Sequence, residues 1–249
     1  MLRIGGQNSS RPGVHGWLTH PWFVRGGAVT AWRGRRGPVN SDRIFSLVVP
    51  IIRPIVVRRI GGTRRRYFEA MPPPTGRVVF LGDSITQQGI WEDLFPELPT
   101  TNRGIGGEAT ADLPERLDTA IQQPLAVSLL IGTNDLHGPR RGRAVPGIAA
   151  RMEEIVRQIR ERAPEAVLLV NSVTPRTSFF APRIRQLNGL YREIAERHGA
   201  AYVDLWPTLA DSAGGIRREF TTDNLHLSPA GYLAWAEVLR PHLSRFAVR

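Results

Sequence analysis

The chain has 249 residues, no cysteine, and 33 basic residues, every one an arginine, against 22 acidic ones. That length suffices for one α/β domain of about 150–200 residues plus an extension, and the absence of thiols excludes disulfides, cysteine nucleophiles and thiolate metal sites. The net charge of +11 invites a nucleic-acid reading, but residues 1–76 hold 13 arginines against Asp42 and Glu69, while residues 77–249 hold 20 of each sign. The excess therefore belongs to the leader, and specific nucleic-acid binding by the body is not expected.

Residues 1–40 are rich in Gly, Arg, Ser and Trp with no apolar period, and read as a partly disordered arm. The run Ile44 to Val57 is 14 residues long and broken by Pro50, Arg53 and Pro54. A membrane-spanning helix takes roughly 20 apolar residues. Flanked by Arg58, Arg59 and the triplet Arg64-Arg65-Arg66, the run either packs on the body, the commoner outcome, or lies on an anionic membrane surface. No small-residue cleavage site follows it, which speaks against a signal peptide; the expected location is cytoplasmic, or peripheral at a membrane.

Pro72-Pro73-Pro74 punctuates the chain, and the expected division is an Arg-rich extension over residues 1–76 and a catalytic body over residues 77–249. Strands are predicted at Val78–Leu81, Thr100–Arg103, Ala126–Ile131, Ala166–Ser172 and Ala201–Asp204. Ile85 to Phe95 can form a helix after the first strand. Amphipathic helices are predicted at Ala111–Gln122, Ile148–Arg162 and Arg183–His198, and a last one follows Ser228-Pro229, a serine cap with proline in the first turn, to about Phe246. This βαβ alternation implies an α/β fold, a parallel sheet covered by helices on both faces.

In such a sheet, ligands bind at the carboxyl ends of the strands. The first apolar strand ends at Gly82 and is followed by Asp83 and Ser84, so Ser84 is either a helix cap or a nucleophile placed near a helix N-terminus. Three further patches follow predicted strands or precede the last helix: Asn102 to Thr110 (NRGIGGEAT), Gly132-Thr133-Asn134-Asp135, and Asp223-Asn224-Leu225-His226. Each alone reads as a turn or cap. Together they supply a set for acyl transfer: Ser84 as nucleophile, His226 as base, Asp223 orienting its imidazole, and N–H groups of Ser84, a glycine and the Asn134 side chain for an oxyanion.

The blocks GDSIT, GIGG, GTND and DNLH, in that order, resemble the SGNH (GDSL-type) esterase and lipase family, and the stretch from Val79 to Asp135 is similar to its branch of platelet-activating-factor acetylhydrolase-like enzymes. The resemblance covers about residues 77–243. It implies a flavodoxin-like three-layer α/β/α fold with a five-stranded parallel sheet in the order 2-1-3-4-5. It also implies ester hydrolysis through an acyl-serine, with no metal or other cofactor. Carried over position by position, it makes Ser84, Asp223 and His226 catalytic and assigns the oxyanion hole to the Ser84 N–H, the Gly107 N–H and the Asn134 side-chain amide. Short acyl groups are expected, on a small-molecule ester; carbohydrate O-acetyl esters and lysophospholipids are the alternatives. One departure stands out. Relatives commonly read Gly-Asp-Thr where this chain has Gly107-Glu108-Ala109, which puts the supporting role of the aspartate and threonine in doubt.

Other readings account for less of the chain. Gly104 to Ala109 satisfies a GxGxxA pattern for dinucleotide binding, but its strand is polar and the other blocks go unused. An α/β-hydrolase elbow would place its serine differently and its acid away from the histidine. A catalytically silent domain whose basic leader docks on membrane or nucleic acid would need none of the acyl-transfer residues.

Overall fold

The computed structural model describes residues 61–137 and 144–247. The expectations for the arm, and for Ile44 to Val57, lie outside the described residues. The first described helix, α1 (Gly62–Ala70), carries Arg64-Arg65-Arg66 and is bonded to the body through arginines: Arg64 Nε donates to Gly104 O at 2.7 Å, and Arg103 donates to Met71 O at 2.9 Å.

Five strands form one parallel sheet: β1 (Val78–Gly82), β2 (Thr100–Gly104), β3 (Ala126–Leu130), β4 (Val167–Asn171) and β5 (Ala201–Val203), in the order β2-β1-β3-β4-β5. All five residues of β1 and of β3 are buried, as continuous apolar runs covered on both faces should be. Alternation splits them between two cores. Val79, Leu81, Val127 and Leu129 point to one face, with α5 (Ala144–Arg162) and α6 (Ala181–Arg197), through Met152, Ile155, Ile184 and Tyr191. Val78, Phe80 and Leu130 point to the other, with α3 (Trp91–Leu94) and α8 (Pro229–Leu243). There Phe80 stacks on Trp91 with ring centroids 3.8 Å apart, and Trp235 meets Trp91 edge-on at 4.8 Å, the offset and T-shaped contacts that aromatic quadrupoles favour. The expected three-layer α/β/α architecture and strand order are therefore present.

The register decides what meets at the sheet edge. Gly82 lies level with Gly104 on β2 and Leu130 on β3, so the chain leaves all three strands together. Two predicted helices differ. Ile85 to Phe95 divides into α2 (Ser84–Gln87) and α3, because Trp91 folds back over Gly89 and its indole donates to Thr86 O at 2.9 Å. A Cβ at Gly89 would lie 2.5 Å from that indole. Ala111 to Gln122 is helical only at α4 (Leu117–Ala120), after a 3₁₀ turn at Pro114–Arg116; Asp112 Oδ2 caps the Ala109 N–H at 2.8 Å, and proline supplies no donor. The last named helix, α7 (Trp206–Leu209), is a single turn. Among the described residues, no helix is long and apolar enough to cross a membrane.

Candidate active site

Ser84 leaves β1 through a tight cap. Asp83 Oδ1 accepts from the Ile85 N–H at 2.9 Å, starting α2 at the serine itself. Since α2 is one turn long, it contributes little macrodipole, and the expected help from a helix N-terminus shrinks accordingly. The turn is held at its far end by Asn102, whose Nδ2 lies 3.0–3.1 Å from the carbonyls of Thr86, Gln87 and Gly89, while its Oδ1 accepts from Gly104 N–H at 3.0 Å.

His226 and Asp223 come from the loop before α8. Ser228 caps that helix, accepting from Gly231 N–H and donating to Glu219 O at 2.6 Å. Thr221 Oγ1 donates to His226 O at 2.7 Å, and Asn224 takes a left-handed φ of 62°, a conformation asparagine tolerates. The loop thus closes around Asp223, whose Oδ1 accepts from the N–H groups of Leu225 and His226 at 2.9 and 2.7 Å. Its Oδ2 lies 2.7 Å from His226 Nδ1, and His226 Nε2 lies 3.0 Å from Ser84 Oγ. Partial burial raises the Asp223 carboxyl, but the hydrogen bonds from His226 and Leu225 outweigh it and hold the group below its ordinary value. An ionised Asp223 fixes the proton on Nδ1 and leaves Nε2 to accept from the serine hydroxyl.

The glycine turn after β2 lies beside the serine: a methyl on Gly106 would sit 3.7 Å from Ser84 Cβ, and Gly106 N–H donates to Gln87 Oε1 at 2.7 Å. Gly107 has a φ of 80°, open to glycine at no steric cost. Asn134, after β3, donates its Nδ2 to Glu108 O at 2.8 Å, which registers the amide on that turn and leaves the group a second hydrogen. The five predicted site residues, Ser84, Gly107, Asn134, Asp223 and His226, lie on loops or in the first position of short helical turns, Ser84, Gly107 and Asn134 following the carboxyl ends of β1, β2 and β3.

The Glu108 departure has its own solution. The Glu108 carboxylate is wholly buried and bonded to buried Arg116, with Arg116 Nε 2.7 Å from Oε2, and Arg116 also donates to Gly82 O at 3.1 Å. Thr110 pairs with Asp135, donating its N–H and Oγ1 at 2.9 and 2.6 Å, and Arg151 closes the set at 3.1 Å from Asp135. The GxGxxA pattern opens no helix, since the chain turns at Gly106 and Gly107 and buries its acid. Asp83 is equally buried, with Oδ2 lacking a hydrogen-bond partner. Burial pushes its carboxyl up to about 7; the Ile85 N–H opposes this, and Asp135 and Glu108 reinforce it. Arg116 lay in none of the blocks singled out in the sequence, and Gln87 and the first residue of the glycine-rich block, Asn102, carried no expected role, because only tertiary contact distinguishes them from surface polar residues.

Segments that follow Ser84 and His226 in the chain line a largely apolar groove of about 480 Å³, with Gln88, Ile90, Asp93, Leu94, Leu227 and Leu233 among its walls. Gln88 is one helical turn below Ser84, and Leu227 follows His226.

A doubly covered parallel sheet with a serine, histidine and aspartate in hydrogen-bonded series at its carboxyl edge defines a hydrolase of the acyl-transfer class. Residues 80–234 match the model of the GDSL-like lipase/acylhydrolase family, and the chain belongs to that family. It is 32% identical over 213 residues to platelet-activating factor acetylhydrolase IB subunit alpha1 of Homo sapiens, covering 79% of this chain and 90% of that one. With the alpha2 subunit of Bos taurus it shares 30% identity over 176 residues, 66% of this chain and 73% of the other. A solved structure from Streptococcus pneumonia, described as a candidate platelet activating factor, superposes with a TM-score of 0.69 at 27% identity, covering 79% of this chain and 98% of that one.

Proposed function

We propose that this acylhydrolase is a serine esterase that cleaves short acyl esters through an acyl-serine intermediate. Ser84 Oγ attacks the acyl carbon as His226 Nε2 takes its proton; the negative charge on the former carbonyl oxygen meets the Ser84 N–H, the Gly107 N–H and the Asn134 amide. The histidinium, steadied by Asp223, then protonates the departing alkoxide oxygen. Water repeats the sequence on the acyl-serine and frees the acid. The observation that carries this reading is the series Ser84 Oγ, His226 Nε2, His226 Nδ1, Asp223 Oδ2 at 3.0 and 2.7 Å, closed by residues 142 positions apart in sequence.

Support for a short acyl group comes from relatives named acetylhydrolases. With the acyl group short, the largely apolar groove lined by Ile90, Leu94, Leu227 and Leu233 is left to an apolar portion of the alcohol. The test is a series of p-nitrophenyl esters from acetyl to palmitoyl, then acetates of alcohols of rising chain length, with an acetylated sugar in parallel. Fastest turnover is expected for the shortest acyl groups, with kcat/KM rising along the alcohol series. Preference for palmitoyl, or for the sugar over every alkyl acetate, would contradict the reading.

A further inference from the structure

The arginine-rich helix α1 is joined to the turn that carries the oxyanion donors. Arg65 NH2 lies 3.1 Å from Glu108 Oε1 and 3.2 Å from Asp112 O, and its NH1 lies 2.9 Å from Glu115 Oε2. The two cations on Glu108 divide its oxygens. Arg116 engages Oε2 from within the body, and Arg65 engages Oε1 from α1. A carboxylate with no exposed side-chain surface is costly to bury without such partners, and two of them on opposite oxygens fix its rotation about the last side-chain bond, which is otherwise loosely held.

Glu108 is also the residue after Gly107, and its carbonyl is the acceptor that holds the Asn134 amide at 2.8 Å. Contact therefore runs from Arg65 through the Glu108 side chain to the Glu108 backbone, and from there to Gly107 on one side and Asn134 on the other. Arg116 extends it to Gly82 O, two residues before Ser84. We propose that Arg65 is a positioning residue for the oxyanion hole, holding the Gly107–Glu108 backbone and through it the Asn134 amide in register with Ser84. The inference rests on the acyl-serine reading of this site. It draws part of the arginine excess of residues 1–76 into catalysis, where the charge count alone left it outside.

Removing Arg65 leaves Glu108 paired with Arg116, so the fold should persist while the donor turn loosens. Oxyanion donors act on charge that develops in the transition state, so the loss should appear in kcat rather than KM. Couplings carried through packed networks of this kind give changes of about 3- to 30-fold. The experiment compares the full chain with Arg65→Gln, Arg65→Lys and Glu115→Gln on p-nitrophenyl acetate, with a fluorophosphonate probe of Ser84 labelling in each. Glu115→Gln removes the exposed partner of Arg65 and spares its bond to Glu108. The expected result is a kcat about 3- to 30-fold lower for Arg65→Gln, KM within about twofold, partial recovery in Arg65→Lys, and Glu115→Gln like wild type.

Wild-type kcat in Arg65→Gln, a loss confined to KM, or equal losses in Arg65→Gln and Glu115→Gln would overturn the proposal. Should Arg65→Gln fail to fold, Arg65→Lys decides by the same split: lowered kcat at unchanged KM supports it, wild-type kcat ends it. A wild-type protein that neither turns over the ester nor labels at Ser84 removes the acyl-serine reading and this inference with it. Active wild type with an unaffected Arg65→Gln removes this inference alone.

Discussion

Asp83→Asn should remove a loss of stability that the wild-type protein suffers as pH rises from about 5 through about 7. Asp83 has no exposed surface, one carboxylate oxygen accepts a single backbone N–H at 2.9 Å, and the other has no hydrogen-bond partner. Burial first, then the nearby Asp135 and Glu108 charges, push its carboxyl up to about 7 against the opposing Ile85 N–H and Arg176. For an acid whose folded value exceeds its unfolded one, near 3.9, the folded state binds the extra proton. The stability this gives is fully present below about pH 4 and is lost as pH rises through about 7. The gap corresponds to roughly 4 kcal/mol, of which roughly 3 kcal/mol falls between pH 5 and 9. Asparagine keeps the oxygen that caps Ile85 and cannot ionise. Urea denaturation of both proteins at pH 5, 6, 7, 8 and 9 should show wild type losing about 3 kcal/mol relative to the variant, most of it below pH 7, at equal m-values. Groups common to both cancel in the difference. A difference between the two curves that stays constant across this range would refute the reasoning.

Two other substitutions probe the scaffold and the donors. Asn134→Ala should lower kcat by about a hundredfold or more on a soluble ester with a smaller change in KM, as expected for one oxyanion donor; equal kcat values would remove Asn134 from the hole. Asn102→Leu strips the amide that gathers the carbonyls at the end of α2 and should cost about 1–3 kcal/mol in urea denaturation. Because α2 begins at Ser84, kcat should fall as well; loss of stability with unchanged kcat would show that the turn needs no such anchor.

Strands β1, β3 and β4 and the two long helices were legible in the sequence because burial on both faces favours near-continuous apolar runs, and a single buried face demands the 3.6-residue period. The same logic failed at Ile85 to Phe95. There the pattern suits a helix, but an indole folding over Gly89 and an amide from Asn102 end it. Nor was α1 legible: its three consecutive arginines read only as flanking a run that packs on the body or lies on a membrane surface, whereas Arg64 bonds Gly104 O and Arg65 bonds Glu108. Within the candidate site, Ser84, Asn134, Asp223 and His226 stood out because acyl transfer prescribes those residue types near the carboxyl edge of the sheet, whereas Gly107 was singled out among its neighbouring glycines only by the family resemblance. Arg116 did not. A buried arginine is recognisable only by the carboxylate it meets, and that carboxylate, Glu108, looked like a loss where it is the centre of an ion-pair network.

The most direct measurement is the turnover of Ser84→Ala beside wild type on p-nitrophenyl acetate, with intact-mass detection of fluorophosphonate on each protein. An acyl-serine mechanism predicts a loss of at least about four orders of magnitude in kcat, no adduct on the variant, one adduct on wild type at Ser84, and an unchanged denaturation midpoint. A folded Ser84→Ala protein that keeps most of its esterase activity would contradict it.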